Sequence, residues 1–257
     1  MANFSNGSPE GLRMRTASSA CGALLLAAIC SGSAPRANDP PAAETPPRAA
    51  GPAWPACYAE RVAALALIET LNAELLSHDS ATQILEQWCS AHRLATTPRI
   101  TATPMRGAPQ APSAAQRREL HVGPQELVRY RHVELTCGSL VLSRAENWYV
   151  PGRLSPEMNR LLETTDAPFG SVVRSLNFQR HTLSAQLLWS PLPPAWDVQG
   201  VRAAPDTRQL LVPGAVLEHR AVLALPDGTP ISEVVETYTG NVLAFDAPSG
   251  SAPAAER

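Results

Sequence analysis

The chain has 257 residues, 44% of them apolar, enough for one sizeable core or two small ones. Its 21 Lys and Arg residues face 23 Asp and Glu, a formal charge of -2, which argues against a surface built to neutralise phosphates and so against nucleic acid as a partner. The 25 prolines are clustered, marking linkers and loops rather than a fibrous repeat.

The N-terminus reads as an address. Arg13 and Arg15 precede the apolar run ACGALLLAAIC, followed by SGSA and then by Pro-rich polar sequence. That is the order of a secretory signal peptide, and the run is too short to span a bilayer. The expected leader is 1–34, cleaved near Ala34 or Ala37, with Met14 as an alternative start and a periplasmic or secreted destination. A lipoprotein anchored at Cys30 is the lesser alternative, because Ile29 before it is bulkier than such processing prefers. No membrane span is expected beyond the leader. Residues 35–56, PRANDPPAAETPPRAAGPAWPA, predict a disordered Pro/Ala linker. A folded domain is expected over 57–247, and a disordered tail over 248–257.

Val62, Leu65, Ile68, Leu71 and Leu75 recur at intervals of three and four, the stripe of an amphipathic helix. In HDSATQILEQWCSAHRL, Ser80 with Gln83 three residues later is a capping box opening a second helix that carries Ile84, Leu85 and Trp88. The two predict a helical hairpin. Without the leader, the five cysteines reduce to Cys57, Cys89 and Cys137. An antiparallel hairpin makes Cys57 and Cys89 a disulfide candidate in an oxidising compartment; three buried thiols are the alternative.

From Arg99 the pattern changes to short segments rich in Val, Leu, Thr and aromatics: RITATPM, LVRYRHVELT, LVLSRAENWYVP, SVVRSLNF, TLSAQLLW, AVLEHRAVLAL and PISEVVETYTGNVLAF. Turn sequences separate them, as antiparallel hairpins require. One interruption is plain. Ser155 as N-cap, Pro156 at the first helical position and Glu157 in the first turn predict a helix through Leu162. Residues 190–214 predict a long loop. The class is α+β, an antiparallel β-sheet with helices packed on it, and a monomer is expected.

The sequence has no GxSxG, HExxH, CxxC, Walker loop or GxGxxG, which disfavours triad hydrolases, zincins, NTPases and Rossmann dehydrogenases. Its six histidines show no metal-ligand spacing, and neither metal nor cofactor is implied. What remains is charge inside strand-like sequence. In LVRYRHVEL, Arg129 and Arg131 share one face, Tyr130 and His132 the other. Glu233 and Glu236 are three apart in SEVVETY, so only one is expected inward, and which one stays open. Trp148 and Tyr149 are expected in sheet packing.

In order and spacing, residues 58–245 resemble the chorismate lyase (chorismate pyruvate-lyase) family and related ligand-binding sensor domains of that fold. LLSHDSATQILEQ looks like the family's first helix and second-helix start; RYRHVEL like its Arg-x-Val/Ile-x-Leu strand; AENWYVP like its Ala-to-Pro segment; DAPFG like its Thr-Pro-Leu-Gly turn; and DGTPISEVVETY like its Gly-x-Pro strand ending in Glu. The resemblance implies a chorismate lyase-like fold. It also implies a pocket for a small aromatic carboxylate, with Arg131 on the carboxylate, Glu236 on the ring hydroxyl, and Phe169 and Ala81 against the ring. Arg180 and Arg220 fall in segments similar to family positions and are further expected contacts. An active member would convert chorismate to 4-hydroxybenzoate and pyruvate; a non-catalytic periplasmic ligand-binding or envelope protein is the alternative. The chain departs from the pattern in three places: a strand one residue longer over 230–236, Asn147 where relatives often carry Arg, and a small Ala81.

Overall fold

The computed structural model describes residues 54–199 and 208–248; the predicted leader, nearly all of the linker and tail, and residues 200–207 lie outside the described residues. The helical hairpin forms as α1 (Tyr58–Ser77) and α2 (Ala81–Ala91). The expected stripe is buried in its C-terminal part, Ile68, Leu71 and Leu75, while Val62 and Leu65 are only half-buried and Ala64 takes the buried position in the first turns; these residues share a core with Ile84, Leu85, Trp88 and Cys89 of α2. Ser80 caps α2 by accepting from the Gln83 N–H at 3.3 Å, which satisfies one of the helix's orphan donors.

The strand-like segments build one six-stranded antiparallel sheet in the order β1-β2-β3-β6-β5-β4. Its strands are β1 (Ile100–Pro104), β2 (Arg129–Cys137), β3 (Leu140–Tyr149), β4 (Gln179–Leu187), β5 (Leu217–Ala224) and β6 (Pro230–Tyr238). Gly138, at φ +56°, supplies the left-handed conformation of the two-residue β2–β3 hairpin. Four further helices complete the described residues: α3 (Ala114–Glu119), α4 (Pro156–Thr164), α5 (Phe169–Val172) and α6 (Trp196–Gln199). The architecture is α+β, as the sequence predicts.

α1 and α2 cover one face of the sheet, packing on Val133, Leu135, Ala145, Leu217, Ala221 and Tyr238. On that front side α4 and α5 add a second cluster, with Leu162 and Phe169 against Tyr149, Phe178 and Leu223. Part of the back face is covered as well. There Leu120, just after α3, packs on Trp148 and Val150, and the Trp148 indole donates to the Gln110 carbonyl at 3.2 Å.

Four expectations change. The sequence reading has no element at α3, yet SAAQ is a full capping box, with the Ser113 hydroxyl and Gln116 side chain each accepting from the other's backbone N–H. SVVRSLNF, expected as strand, forms the end of α5 and a 3-10 turn (Arg174–Leu176), because Val173 and Phe178 are buried beneath α5 and that packing overrides β propensity. The fold begins before Cys57: Trp54 and Ala56 are buried, and the Trp54 indole donates to the Leu243 and Phe245 carbonyls. Finally, Cys89 is bonded to Cys137 and Cys57 is free. α1 has 20 residues and α2 only 11, so at about 1.5 Å per residue Cys89 lies beside the middle of α1, roughly 18 Å short of Cys57.

Candidate functional site

Between the front of the sheet and the N-terminal ends of α2 and α5 lies a cavity. Its volume is about 40 Å³. Strand alternation selects its floor. In the register, Arg131 stands opposite Asn147 and Asn147 opposite Val234, while Val133 stands opposite Ala145 and Ala145 opposite Glu236, two neighbouring rows pointing to the same face. Phe169 and Phe178 wall one side, Ala81 and Thr82 another. The two helix ends meet tightly: a Cβ on Gly170 would lie 3.1 Å from the Thr82 Oγ1 and 3.3 Å from the Ser80 Oγ, so a larger residue there requires these side chains to give by a few tenths of an ångström.

Five of the six expected site residues come together here. Arg131, Glu236, Phe169, Ala81 and Arg180 all line the cavity. Arg220 does not: it lies on the back of the sheet, where its Nε donates to Glu233 at 2.7 Å. Glu233 and Glu236 do point to opposite faces, but both are buried, at 0% and 5% exposed, so the expectation of a single inward carboxylate is corrected. α3 and the segment after it cover part of the back face that the sequence leaves open. The extra residue of β6 is taken up as a bulge at Ile231, since Leu223 pairs with Ser232 but Ala224 with Pro230. Asn147 accepts from the Ser232 hydroxyl at 2.6 Å. Trp148 is in back-face packing, and Tyr149 packs on Phe169 with ring centroids 5.7 Å apart.

The charges are arranged unequally. Arg180 and Glu236 form an ion pair at 2.6 Å with side chains only 3% and 7% exposed. Burial alone would lower the Arg180 pKa, but Glu236, Tyr238 and Asp79 outweigh it and raise it. Glu236 Oε2 also accepts from the Tyr238 hydroxyl at 3.1 Å. Arg131, by contrast, has no carboxylate partner among the described residues; its Nη2 donates to the Ala167 carbonyl at 3.0 Å. Burial pushes the Arg131 guanidinium down from its usual range, with Tyr149 opposing. Arg131 and Glu236 sit two strands and two residues apart, roughly 12 Å between Cα atoms at ordinary strand spacings. Chemically this is a half-apolar slot with one uncommitted cation at one end and a neutralised carboxylate at the other. Among the described residues, no group of three or more His, Cys, Asp or Glu could hold a metal ion.

Sequence reasoning misses Asp79, Thr82, Phe178, Tyr238 and His219. The Arg180 N–H donates to Asp79 Oδ1 at 2.8 Å, fixing the start of β4 to the start of α2. His219 is fully buried beside Glu236 in the register, and its Nε2 donates to Asn72 Oδ1 at 2.8 Å. The signal for it was present, because in AVLEHRAVLAL the residue shares the period-two face of Leu217 and Ala221. Burial first, and the Arg180 charge second, lower its pKa to about 4. Between about pH 6.5 and 4 the unfolded chain therefore binds a proton at this site that the folded chain refuses, so this contribution is full above pH 6.5 and is lost as pH falls towards 4. Urea midpoints across pH 4–7 are expected to drop on the acid side in the wild type and to drop less in His219→Gln.

No family model matches the chain. The uncharacterized protein y4mC of Sinorhizobium fredii (strain NBRC 101917 / NGR234) is 53% identical over 196 residues, covering 76% of this chain and 83% of that protein. Among solved structures, the effector domain of PhnF from Mycobacterium smegmatis matches with a TM-score of 0.40 at 14% identity, over 63% of this chain and 90% of that one. The ligand-binding domain of a putative GntR-family transcriptional regulator from Bordetella bronchiseptica gives 0.35 at 15%, over 55% and 82%. The possible transcriptional regulator YydK from Bacillus subtilis gives 0.34 at 15%, over 55% of this chain and 58%, less than two thirds, of its own. The structural likenesses are partial, whereas the sequence identity to y4mC extends over most of both chains; the protein belongs to the same family as y4mC.

Proposed function

We propose that the cavity binds a small planar monocarboxylate, a hydroxylated aromatic acid of the 4-hydroxybenzoate type, and that the chain is an exported, chorismate lyase-like binding protein. The observation that carries this reading is Arg131, a partly buried guanidinium on the wall of a largely apolar cavity, with no acidic partner among the described residues. A cation kept from water in this way is stabilised by a ligand anion, and a planar guanidinium suits a carboxylate. The other end offers Glu236 as acceptor for a hydroxyl.

Binding is favoured over turnover by charge. Chorismate carries two carboxylates, and Arg180 is already committed to Glu236, which leaves one free cation in the cavity among the described residues. Size adds a condition. A cavity that takes a benzene ring measures about 150 Å³, so a ring enters this smaller one only as its walls part. Export is supported by the signal-like N-terminus and by the Cys89–Cys137 bond, since disulfides persist in oxidising compartments.

Titration calorimetry with 4-hydroxybenzoate tests the reading. Saturable binding is expected, weakened about 10- to 100-fold in Arg131→Ala through loss of a charge-assisted hydrogen bond. Equal affinity in that variant, or no binding by the wild type, removes the proposal. Incubation with chorismate separates the lyase: pyruvate release abolished by Arg131→Ala establishes turnover.

A further inference from the structure

Glu236 meets the cavity through only one of its oxygens. Oε2 accepts from both Arg180 Nη2, at 2.6 Å, and the Tyr238 hydroxyl, at 3.1 Å. Oε1 has no hydrogen-bond partner among the described residues and is not fully shut off from solvent, so it is the oxygen left for the cavity that Glu236 lines. Glu236 and Tyr238 point to the same face of β6, two residues apart, which lets the hydroxyl reach the carboxylate along the strand.

Tyr238 is itself held. It is fully buried, and the ring of His219 stands edge-on to it with centroids 5.6 Å apart and planes at 78°. His219 is tied by its Nε2 to Asn72 on α1. A continuous series of contacts thus runs from α1 through His219 and Tyr238 to Glu236, and ends at the ligand end of the cavity. Besides Arg180, Tyr238 is the one described hydrogen-bond donor to the carboxylate. Without it, Arg180 Nη2 is the carboxylate's one described hydrogen-bond donor.

We propose that Tyr238 is a positioning residue for this site: its hydroxyl, backed by His219 and Asn72, fixes Glu236 so that Oε1 faces the cavity, and the preference for a ligand bearing a hydroxyl over one without it passes through Tyr238. The inference rests on the proposed binding of a hydroxylated aromatic acid. It adds a residue that never touches the ligand, and it follows the general rule that an orienting group holds a recognition group in its productive geometry.

The test compares 4-hydroxybenzoate with benzoate by calorimetry in the full chain. Benzoate retains the carboxylate for Arg131 and lacks the hydroxyl for Glu236, so the ratio of the two affinities reads the Glu236 end alone. Tyr238→Phe keeps the ring against His219; a thermal melt confirms that it folds. The expected result is a ratio reduced by about tenfold, in the range of a hydrogen bond to a charged group, with benzoate affinity unchanged. In a Glu236→Gln background the Tyr238→Phe change is expected to have no further effect on the ratio, a non-additivity that a purely structural role does not produce. An unchanged ratio in Tyr238→Phe, or an equal loss for both ligands, overturns the positioning role while leaving the binding reading intact, provided Glu236→Gln lowers the ratio. If Glu236→Gln leaves the ratio unchanged, Glu236 does not meet the ligand and both readings fall.

Discussion

Arg180→Ala is expected to destabilise the protein by about 3–5 kcal/mol, the range for removing one partner of a buried ion pair. The size follows from what is left behind. Glu236 is 5% exposed, so its carboxylate cannot recover in water what it loses from the guanidinium, and Tyr238 remains as its one described donor. The cost is therefore that of an uncompensated buried charge rather than the net value of the pair. The same reasoning gives the opposite expectation for a paired replacement: Arg180→Met with Glu236→Leu is expected to be near neutral or stabilising, because desolvation of both charges disappears together. Urea denaturation of the two variants decides. A loss below about 1 kcal/mol for Arg180→Ala would show that water reaches Glu236 and that the pair behaves as a surface bridge. The double variant separates stability from function, since a protein that folds as well as wild type but no longer distinguishes 4-hydroxybenzoate from benzoate places the pair's value in recognition.

The parts of the fold that were legible in the sequence are those fixed by local periodicity. The α1 stripe, the Ser155 cap and the alternation that puts Arg131 and Arg129 on one face all follow from which residues lie three, four or two positions apart. Arg131 and Glu236, which the family resemblance picks out, share a cavity because the β2–β3 and β3–β6 registers keep their faces aligned. What was not legible depends on which faces are covered. Two buried carboxylates on opposite faces of β6 could not be foreseen without α3, whose short capping box lies between Pro-rich sequence and a β-like segment. Arg220 is expected at the site from the family resemblance alone, and it lies instead on the face of β5 opposite His219, paired with Glu233. Arg180 was legible as a residue of the site but not as a partner of Glu236, because the contact joins side chains 56 positions apart.

The disulfide gives the second large effect. A bond between Cys89 and Cys137 closes a loop with a sequence separation of 48, which in the chain-entropy account removes about 4 kcal/mol of freedom from the unfolded state, within a usual range of about 2–4 kcal/mol. Cys89→Ala with Cys137→Ala is expected to lower stability by that range, and reductant is expected to bring the wild type towards the same urea midpoint. Cys57→Ser, on the free thiol, should leave the midpoint and its response to reductant unchanged. Insensitivity to reductant, with an intact mass two hydrogens heavier, would mean that the thiols are not bonded. The consequence extends to the cavity. The bond joins the C-terminal part of α2 to the end of β2, and the opposite ends of these elements carry Ser80, Ala81 and Thr82 on one side and Arg131 on the other. Ligand affinity is thus expected to fall with stability on reduction. In a reducing compartment the chain would lack this part of its stability, so the response to reductant measures how far the fold depends on the oxidising environment that the proposed export would supply.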